Sequence, residues 1–383
     1  MPWQTRDTMS LKREFVELAI QQGANRRQLC TRFGISPKTA YKWLGRYVNA
    51  GVDGLEEQSR RPARSPGQTP ETVEAAVIAI RTAHPTWGGR KINRRLVDLG
   101  QRTVAPSTVT GILRRHRLLR EGREVGHAWQ RFEHAEPNQL WQIDFKGYFA
   151  TPGGLCHPLT LLDDHSRFNL LLQACGKTDA GTVQPLLSGA FRRYGMPVRI
   201  NADNGAPWGS PREYGHGLSR LSVWLIQLGI RISHSRPGHP QTNGKDERFH
   251  RTLKAEVLNG RSFADLHAVQ TAFDYWRTTY NCERPHDALG LAVPASCYQP
   301  SCRDFPDVLP AIEYGPNDQV CKVRWNGEVR FARRRLKVSN ALNGLPIAFR
   351  ATATDSVFDV YFCHHRFMRL DLNNFNNRDA ESI

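Results

Sequence analysis

The chain has 383 residues, with 53 Lys and Arg against 36 Asp and Glu, a net charge of +17 and a hydrophobic fraction of 39%. That length predicts about two to four domains with room for a buried core; the apolar content excludes a wholly disordered chain, and 23 scattered prolines exclude a long coiled coil. No apolar run approaches the roughly 18 residues of a membrane span, and the first residues lack the apolar stretch of a signal peptide, so a cytoplasmic protein with no membrane partner is expected.

The charge is uneven: residues 1–130 carry +12, 131–300 carry +3 and 301–383 carry +2. This is the asymmetry of a basic nucleic-acid-binding arm on a more neutral body. Eight cysteines form no CxxC pair, which favours buried or incidental thiols over a zinc site or a disulfide framework.

Residues 10–48 fit three short helices, with apolar stripes at Phe15, Leu18 and Ala19 and at Leu29 and Phe33. In GISPKTAYKWLGRY, Gly34 ends a helix, Ser36 caps the next and Pro37 occupies its first position. This is a helix-turn-helix pattern, whose second helix would set Lys38, Thr39 and Lys42 on bases and Arg46 on phosphate. A solvated basic helix in an ordinary three-helix bundle is the competing reading. Residues 51–69, rich in Gly, Pro, Ser and Arg, read as a linker between a first domain over 1–50 and a second over 70–120. The second domain predicts helices near 70–83 and 89–99, then a third opening at PSTVTGILRRHRLL with Ser107 as its cap. Arg90, Lys91, Thr108, Arg114 and Arg115 are its candidate DNA contacts. Two tandem helix-turn-helix modules suit a long or bipartite DNA site.

Residues 121–137 read as a second linker, and the pattern then changes to short strands. In WQIDFKGYF, Trp141, Ile143 and Phe145 alternate with Gln142, Asp144 and Lys146, so Asp144 sits mid-strand opposite the apolar face. Two further strands, around 155–164 and 167–176, predict an antiparallel meander with the first. A helix at about 178–194 leads to the strand PVRIN, which runs into Asp203. A helix from about Gln241 places Asn243, Glu247, His250 and Lys254 on one arc, and Phe249 and Leu253 on a core stripe. Three acids on a strand middle, a strand end and a helix are what two-metal phosphoryl transfer uses. Asp163, Asp164, Glu213 and Asp246 compete for these roles; Asp246 points about 100° from Glu247, so both cannot face one site.

WQIDF, LDDHSR, ADNG and HPQTNGKDERFHRTLKAE resemble the integrase-type catalytic core of bacterial insertion-sequence transposases. The WGGRKI segment, YNCERPHDAL and the C-terminal strands share the resemblance. It implies a multidomain chain: all-α helix-turn-helix modules, a central α/β RNase H-like core over 138–295, and a C-terminal domain over 310–372. It further implies an Asp-Asp-Glu triad of Asp144, Asp203 and Glu247 acting both as catalytic residues and as ligands of two Mg²⁺ ions, with Mn²⁺ able to substitute. Lys254 matches a lysine on the transposon end, and Asn243 and Gln241 match polar positions beside the target strand. The partners implied are double-stranded DNA, as transposon ends and as target, and further copies of the chain in a homodimer or larger assembly on nucleoid DNA.

One departure is that 43 residues separate Asp203 from Glu247 where many relatives have about 35. The excess falls in the loop around 206–217, and a loop insertion is thermodynamically cheap. Beyond residue 318 the alternation predicts a small β-barrel with a hairpin at Asn326-Gly327. The activity expected is cleavage of 3′ ends at terminal inverted repeats, then joining to target DNA. The alternatives are a catalytically silent DNA-binding regulator descended from a transposase, and an RNase H-like nuclease without strand transfer.

Overall fold

The computed structural model describes residues 7–57, 67, 69–119, 134–209, 217–234 and 244–374. The chain divides into two compact units, residues 1–69 and 70–383.

The first unit is three helices, α1 (Thr8–Ala19), α2 (Arg26–Phe33) and α3 (Pro37–Ala50), closed by a short 3₁₀ turn over Gly51–Leu55. Each helix starts on a side-chain cap: Asp7, Asn25 and Ser36 accept from the backbone N–H three residues on. Gly34 ends α2 at φ +64°, the left-handed conformation that favours glycine, and so makes the sharp turn into α3. The core is Phe15, Val16, Ala19, Cys30, Ala40, Trp43, Leu44 and Leu55.

The second unit opens with α4 (Glu71–Ala83), α5 (Gly89–Asp98) and α6 (Pro106–Arg115). Trp87, fully buried and stacked on His84 at 3.9 Å between ring centroids, anchors the turn before α5. Gly89 lets α5 approach α6: a Cβ there would lie 2.5 Å from the Pro106 carbonyl oxygen and 2.6 Å from Thr110 Oγ1. Ser107 is not the cap of α6. The helix begins one residue earlier at Pro106, whose fixed φ already suits a first helical position, and Ala105 precedes it with no side-chain cap bond.

A mixed sheet follows. Strands β1 (Trp141–Phe145), β2 (Phe149–Thr151), β3 (Gly154–Asp163) and β4 (Asn169–Cys175) are antiparallel, with β3 paired to the other three. After α7 (Ala180–Tyr194), β5 (Arg199–Ala202) pairs parallel with β1. After α8 (Arg220–Gln227), β6 (Arg231–His234) pairs parallel with β5. One face of the sheet packs Trp141, Ile143, Leu159 and Leu161 against α7 and α8. The other packs Cys156, Leu162 and Leu172 against α9 (Gly244–Leu253), which runs on through a π-helical turn over Lys254–Leu258, and α10 (Leu266–Cys282). The face of β1 that carries Asp144 is therefore covered by a helix rather than by solvent, and even Gln142 is buried.

The turn Asp287–Leu289 and a short helix, α11 (Pro294–Cys297), lead to the C-terminal part. There β7 (Gln319–Lys322), β10 (Pro346–Ala351), β11 (Val357–Phe362) and β12 (His365–Asp371) form a four-stranded antiparallel sheet. β8 (Glu328–Phe331) and β9 (Arg334–Lys337) form a separate hairpin. Among the described residues no ladder joins the two into the expected closed barrel; alternation reports one buried face per strand but does not fix closure. The Asn326-Gly327 turn forms, with Gly327 N–H donating to the Arg324 carbonyl at 2.9 Å. Its flanking strands, however, pair with β10 and β9 rather than with each other.

Candidate active site

The parallel register of β1 and β5 pairs Trp141 with Ile200 and Gln142 with Asn201. Carried two residues on, it brings Asp144 opposite Asp203 at the same end of the sheet. Asp144 Oδ1 accepts from the Phe145 N–H at 2.8 Å. Asp203 follows β5 directly; its Oδ1 accepts from the Gly205 N–H at 3.0 Å, and its carbonyl accepts from His234 Nδ1–H at 2.8 Å. Glu247 lies in the first turn of α9, the helix that Phe249 and Leu253 seat on the sheet.

Burial pushes the Asp144 carboxyl up to about 6, and the charges of Asp203 and Glu247 add to the rise. The three acids therefore share one electrostatic neighbourhood. Among the described residues no Lys or Arg pairs with any of them. Nor do three His, Cys, Asp or Glu side chains among those residues already converge around a single point. Carboxylates that repel one another without a counter-charge are the hard oxygen donors a divalent cation takes, so the donor chemistry suits such an ion.

Two further groups complete the surroundings. Thr160 Oγ1 donates to the Asp144 carbonyl at 3.0 Å and so accepts from His250 Nε2–H at 2.9 Å. That tautomer leaves the His250 Nδ1 lone pair facing Asp144 Oδ2 across 4.0 Å. Burial, with Lys146 nearby, depresses His250 to about 4, so the ring is neutral near pH 7. Asp246, read from the helical wheel as facing away, is the buried member of the pair: it is 1% exposed and both its carboxylate oxygens lack a partner. Burial, then the charges of Asp144, Asp164 and Glu247, raise its carboxyl well above the ordinary value, against a smaller opposing pull from Lys245. Beside it, Asp164 accepts from Gln142 Nε2 at 2.9 Å and pairs with Lys245 at 2.5 Å.

Lys254, exposed on the π-helical turn, lines a cleft with Lys146, Tyr148 and Arg261. Burial and then Lys254 lower Lys146, which marks the two ammonium groups as neighbours. Lys146 follows Asp144 by two residues, and the strand alternation already placed it on the same face. Asn243 and Gln241 lie outside the described residues, as does most of the loop at 206–217.

In the first unit Lys38 and Lys42 are exposed, Thr39 donates its N–H to the Ser36 cap, and Lys42 and Arg46 stand over the Trp43 ring at 4.4 and 5.1 Å. In the second, Arg114 is exposed, Thr108 is half-buried and Arg115 pairs with Glu74. Arg90 and Lys91 face the core domain. Arg90 pairs with Asp287 at 3.3 Å, and its helix also pairs Arg95 with Glu283 at 2.6 Å. Thr86 Oγ1 donates to Glu256 at 2.6 Å, and Glu256 also holds Arg284 at 3.0 Å and Trp276 Nε1 at 2.9 Å. Burial alone would raise Glu256, but Arg284 and these hydrogen bonds outweigh it and hold the carboxyl below its ordinary value.

Residues 134–240 and 228–294 match integrase core domain families, 11–63 a helix-turn-helix domain, 39–113 a homeodomain-like domain and 318–378 the C-terminal domain of IS481 family transposases. An uncharacterised 39.2 kDa protein of insertion element IS476 from Xanthomonas euvesicatoria is 24% identical over 63% of this chain and 69% of its own. The transposase for insertion sequence element IS904 from Lactococcus lactis is 30% identical over 43% of this chain and 63% of its own. Among solved structures, the simian T-cell lymphotropic virus intasome in complex with PP2A regulatory subunit B56 gamma aligns at TM-score 0.39 and 14% identity, covering 74% of this chain and 91% of that one.

Proposed function

We propose that the chain is a bacterial insertion-sequence transposase with an integrase-type core, as its matches support, and that Asp144, Asp203 and Glu247 are the acids with which it cuts DNA 3′ ends and joins them to a target. The observation that supports this reading is that the charges of Asp203, at the end of β5, and Glu247, on α9, both act on Asp144 of β1, with no Lys or Arg salt bridge to any of the three among the described residues. They would hold divalent cations, Mg²⁺ or Mn²⁺, which when bound activate the attacking oxygen and stabilise the leaving one. The chain's own part is positional. Two parallel strands would set Asp144 and Asp203 at the same end of the sheet, α9 would carry Glu247 toward them, and the buried Asp246, its carboxyl raised well above the ordinary value, would lie behind the site. Lys146 and Lys254 would take the backbone of the strand being cut, as their shared cleft suggests. No covalent enzyme intermediate is required, and no Ser or Tyr nucleophile is invoked.

Both helical modules would read the terminal inverted repeats, α3 through Lys38, Thr39, Lys42 and Arg46, and α6 through Thr108, Arg114 and Arg115. An assembly that holds two ends together implies a dimer or larger complex on DNA. The domains would divide as helix-turn-helix 1–50, a second module 70–120, core 138–295 and C-terminal domain 310–372. No helix among the described residues is long and apolar enough to cross a membrane.

The test is 3′-end cleavage and strand transfer on a duplex bearing the element's terminal repeat, with Mg²⁺. Asp144→Asn, Asp203→Asn and Glu247→Gln should each abolish both steps while leaving duplex binding intact. Cleavage undiminished in any one of them removes that residue from the triad.

A further inference from the structure

Between α5 and the core lies a cavity of about 110 Å³ that the three acids do not use. Lys91 enters it from α5, Arg167 from the β3–β4 turn, Lys245 and Arg248 from the first turns of α9, and Arg284 from the segment after α10. His286 lines it too, and Asp287 is the one acidic lining residue among those described. At roughly 30 Å³ per water the cavity has room for a tetrahedral oxyanion in place of three or four waters.

Among the described residues Asp287 pairs with Arg90, Glu256 with Arg284 and Asp164 with Lys245, while Lys91 and Arg248 form no salt bridge. Burial and then the Arg284 charge bring Lys91 down to about 8, against smaller pulls from Asp287 and Glu256. His286 registers the same field: burial, then Arg284, Lys91, Arg167 and Arg248, depress its ring to about 2. Its Nε2 is buried with no hydrogen-bond partner. Gathering like charges in a half-buried pocket is costly unless an anion relieves them, and guanidinium and ammonium groups are the donors that bind phosphate oxygens.

We propose that this pocket holds one phosphodiester of the DNA strand that runs to the active site, clamped between the second helical module and α9. The assignment rests on the transposase reading above. It is favoured by place, because Lys245 and Arg248, which line the pocket, flank Glu247 on the same helical turn.

The experiment measures binding of the full-length protein to a fluorescein-labelled duplex by anisotropy across a monovalent salt titration, without divalent metal. Each phosphate neutralised contributes about −0.9 to the slope of log affinity against log salt. If Lys91 and Arg248 share one phosphate, the double variant Lys91→Gln/Arg248→Gln should lose about 0.9 of slope and, at 0.1 M salt, about eightfold in affinity. Arg248→Gln alone, a change at an exposed residue that leaves folding intact, should lose part of this, and Arg248→Lys should restore it. A wild-type slope in the double variant overturns the proposal, and so does a loss near 1.8, which signifies two separate contacts. A parallel arm follows ³¹P line broadening of inorganic phosphate: broadening abolished in the double variant with an unchanged DNA slope makes this a free-phosphate site and also overturns the proposal. Because no cleavage enters the measurement, failure of the triad assignment would leave the slope readable.

Discussion

Replacing Asp144 by Asn should stabilise the metal-free protein above about pH 6 and do nothing for its stability near pH 4. The folded carboxyl titrates at about 6 against 3.8 for the ordinary group, because burial and then the charges of Asp203 and Glu247 oppose ionisation. A folded-state pKa above the unfolded one gives a contribution that is whole below about 3.8 and is lost as pH rises through about 6. Above that, wild type carries the full cost of an ionised Asp144. A shift of roughly two units at 1.36 kcal/mol each sets a ceiling near 3 kcal/mol. The side chain is 26% exposed, and solvent screening lowers the expected gain to about 1–2 kcal/mol. Thermal unfolding in EDTA at pH 4 and pH 8 reads this directly. The Asn variant should unfold a few degrees above wild type at pH 8 and level with it at pH 4. Adding Mg²⁺ should then raise wild type more than the variant, since an ion bound only by the folded state stabilises it. A variant that melts below wild type at pH 8 without metal would refute the reasoning, because it would mean that the ionised carboxylate is compensated where it stands.

Three other perturbations have defined outcomes. Glu256→Gln leaves the buried Arg284 without its counter-charge and should cost about 3–5 kcal/mol, seen as an earlier chemical-denaturation midpoint by tryptophan fluorescence; a midpoint unchanged within error contradicts it. Gly89→Ala drives a methyl group into the Pro106 carbonyl and the Thr110 hydroxyl, costs about 1–3 kcal/mol, and should raise amide exchange selectively in α5 and α6. Ser36→Ala removes the cap that holds the Thr39 N–H and should cost about 1 kcal/mol, read as faster exchange in the first turn of α3 with α1 unaffected.

The helices of both N-terminal modules were legible because caps, glycines and 3.6-residue periodicity act locally. The Asp144 strand was legible for the same reason, since alternation placed Asp144 and Lys146 together. Its surroundings were not. Alternation assigns a residue to a face but does not say what covers that face, and α9 and α10 cover this one. Asp246 shows the limit most clearly. The helical wheel separated it from Glu247, but only the packed sheet reveals that its direction leads inward, where burial raises its carboxyl well above the ordinary value. The basic residues of α5 divide similarly. The sequence marks Arg90 and Lys91 as DNA contacts, yet Asp287, nearly two hundred residues away, draws Arg90 onto the core, as Glu283 does the neighbouring Arg95. In the C-terminal part the Asn-Gly turn was legible, but strand partners depend on which neighbours complete each ladder.

The half-buried Glu256 sits on the same continuous helical segment as Glu247 and accepts from Thr86, just ahead of α5. The second module is therefore tied directly to the helical segment that carries Glu247. On the proposed reading, in which α6 reads DNA and Glu247 cuts it, this tie sets the span from bound bases to scissile bond, so a longer spacer in the terminal repeat should shift the cut by an equal number of nucleotides.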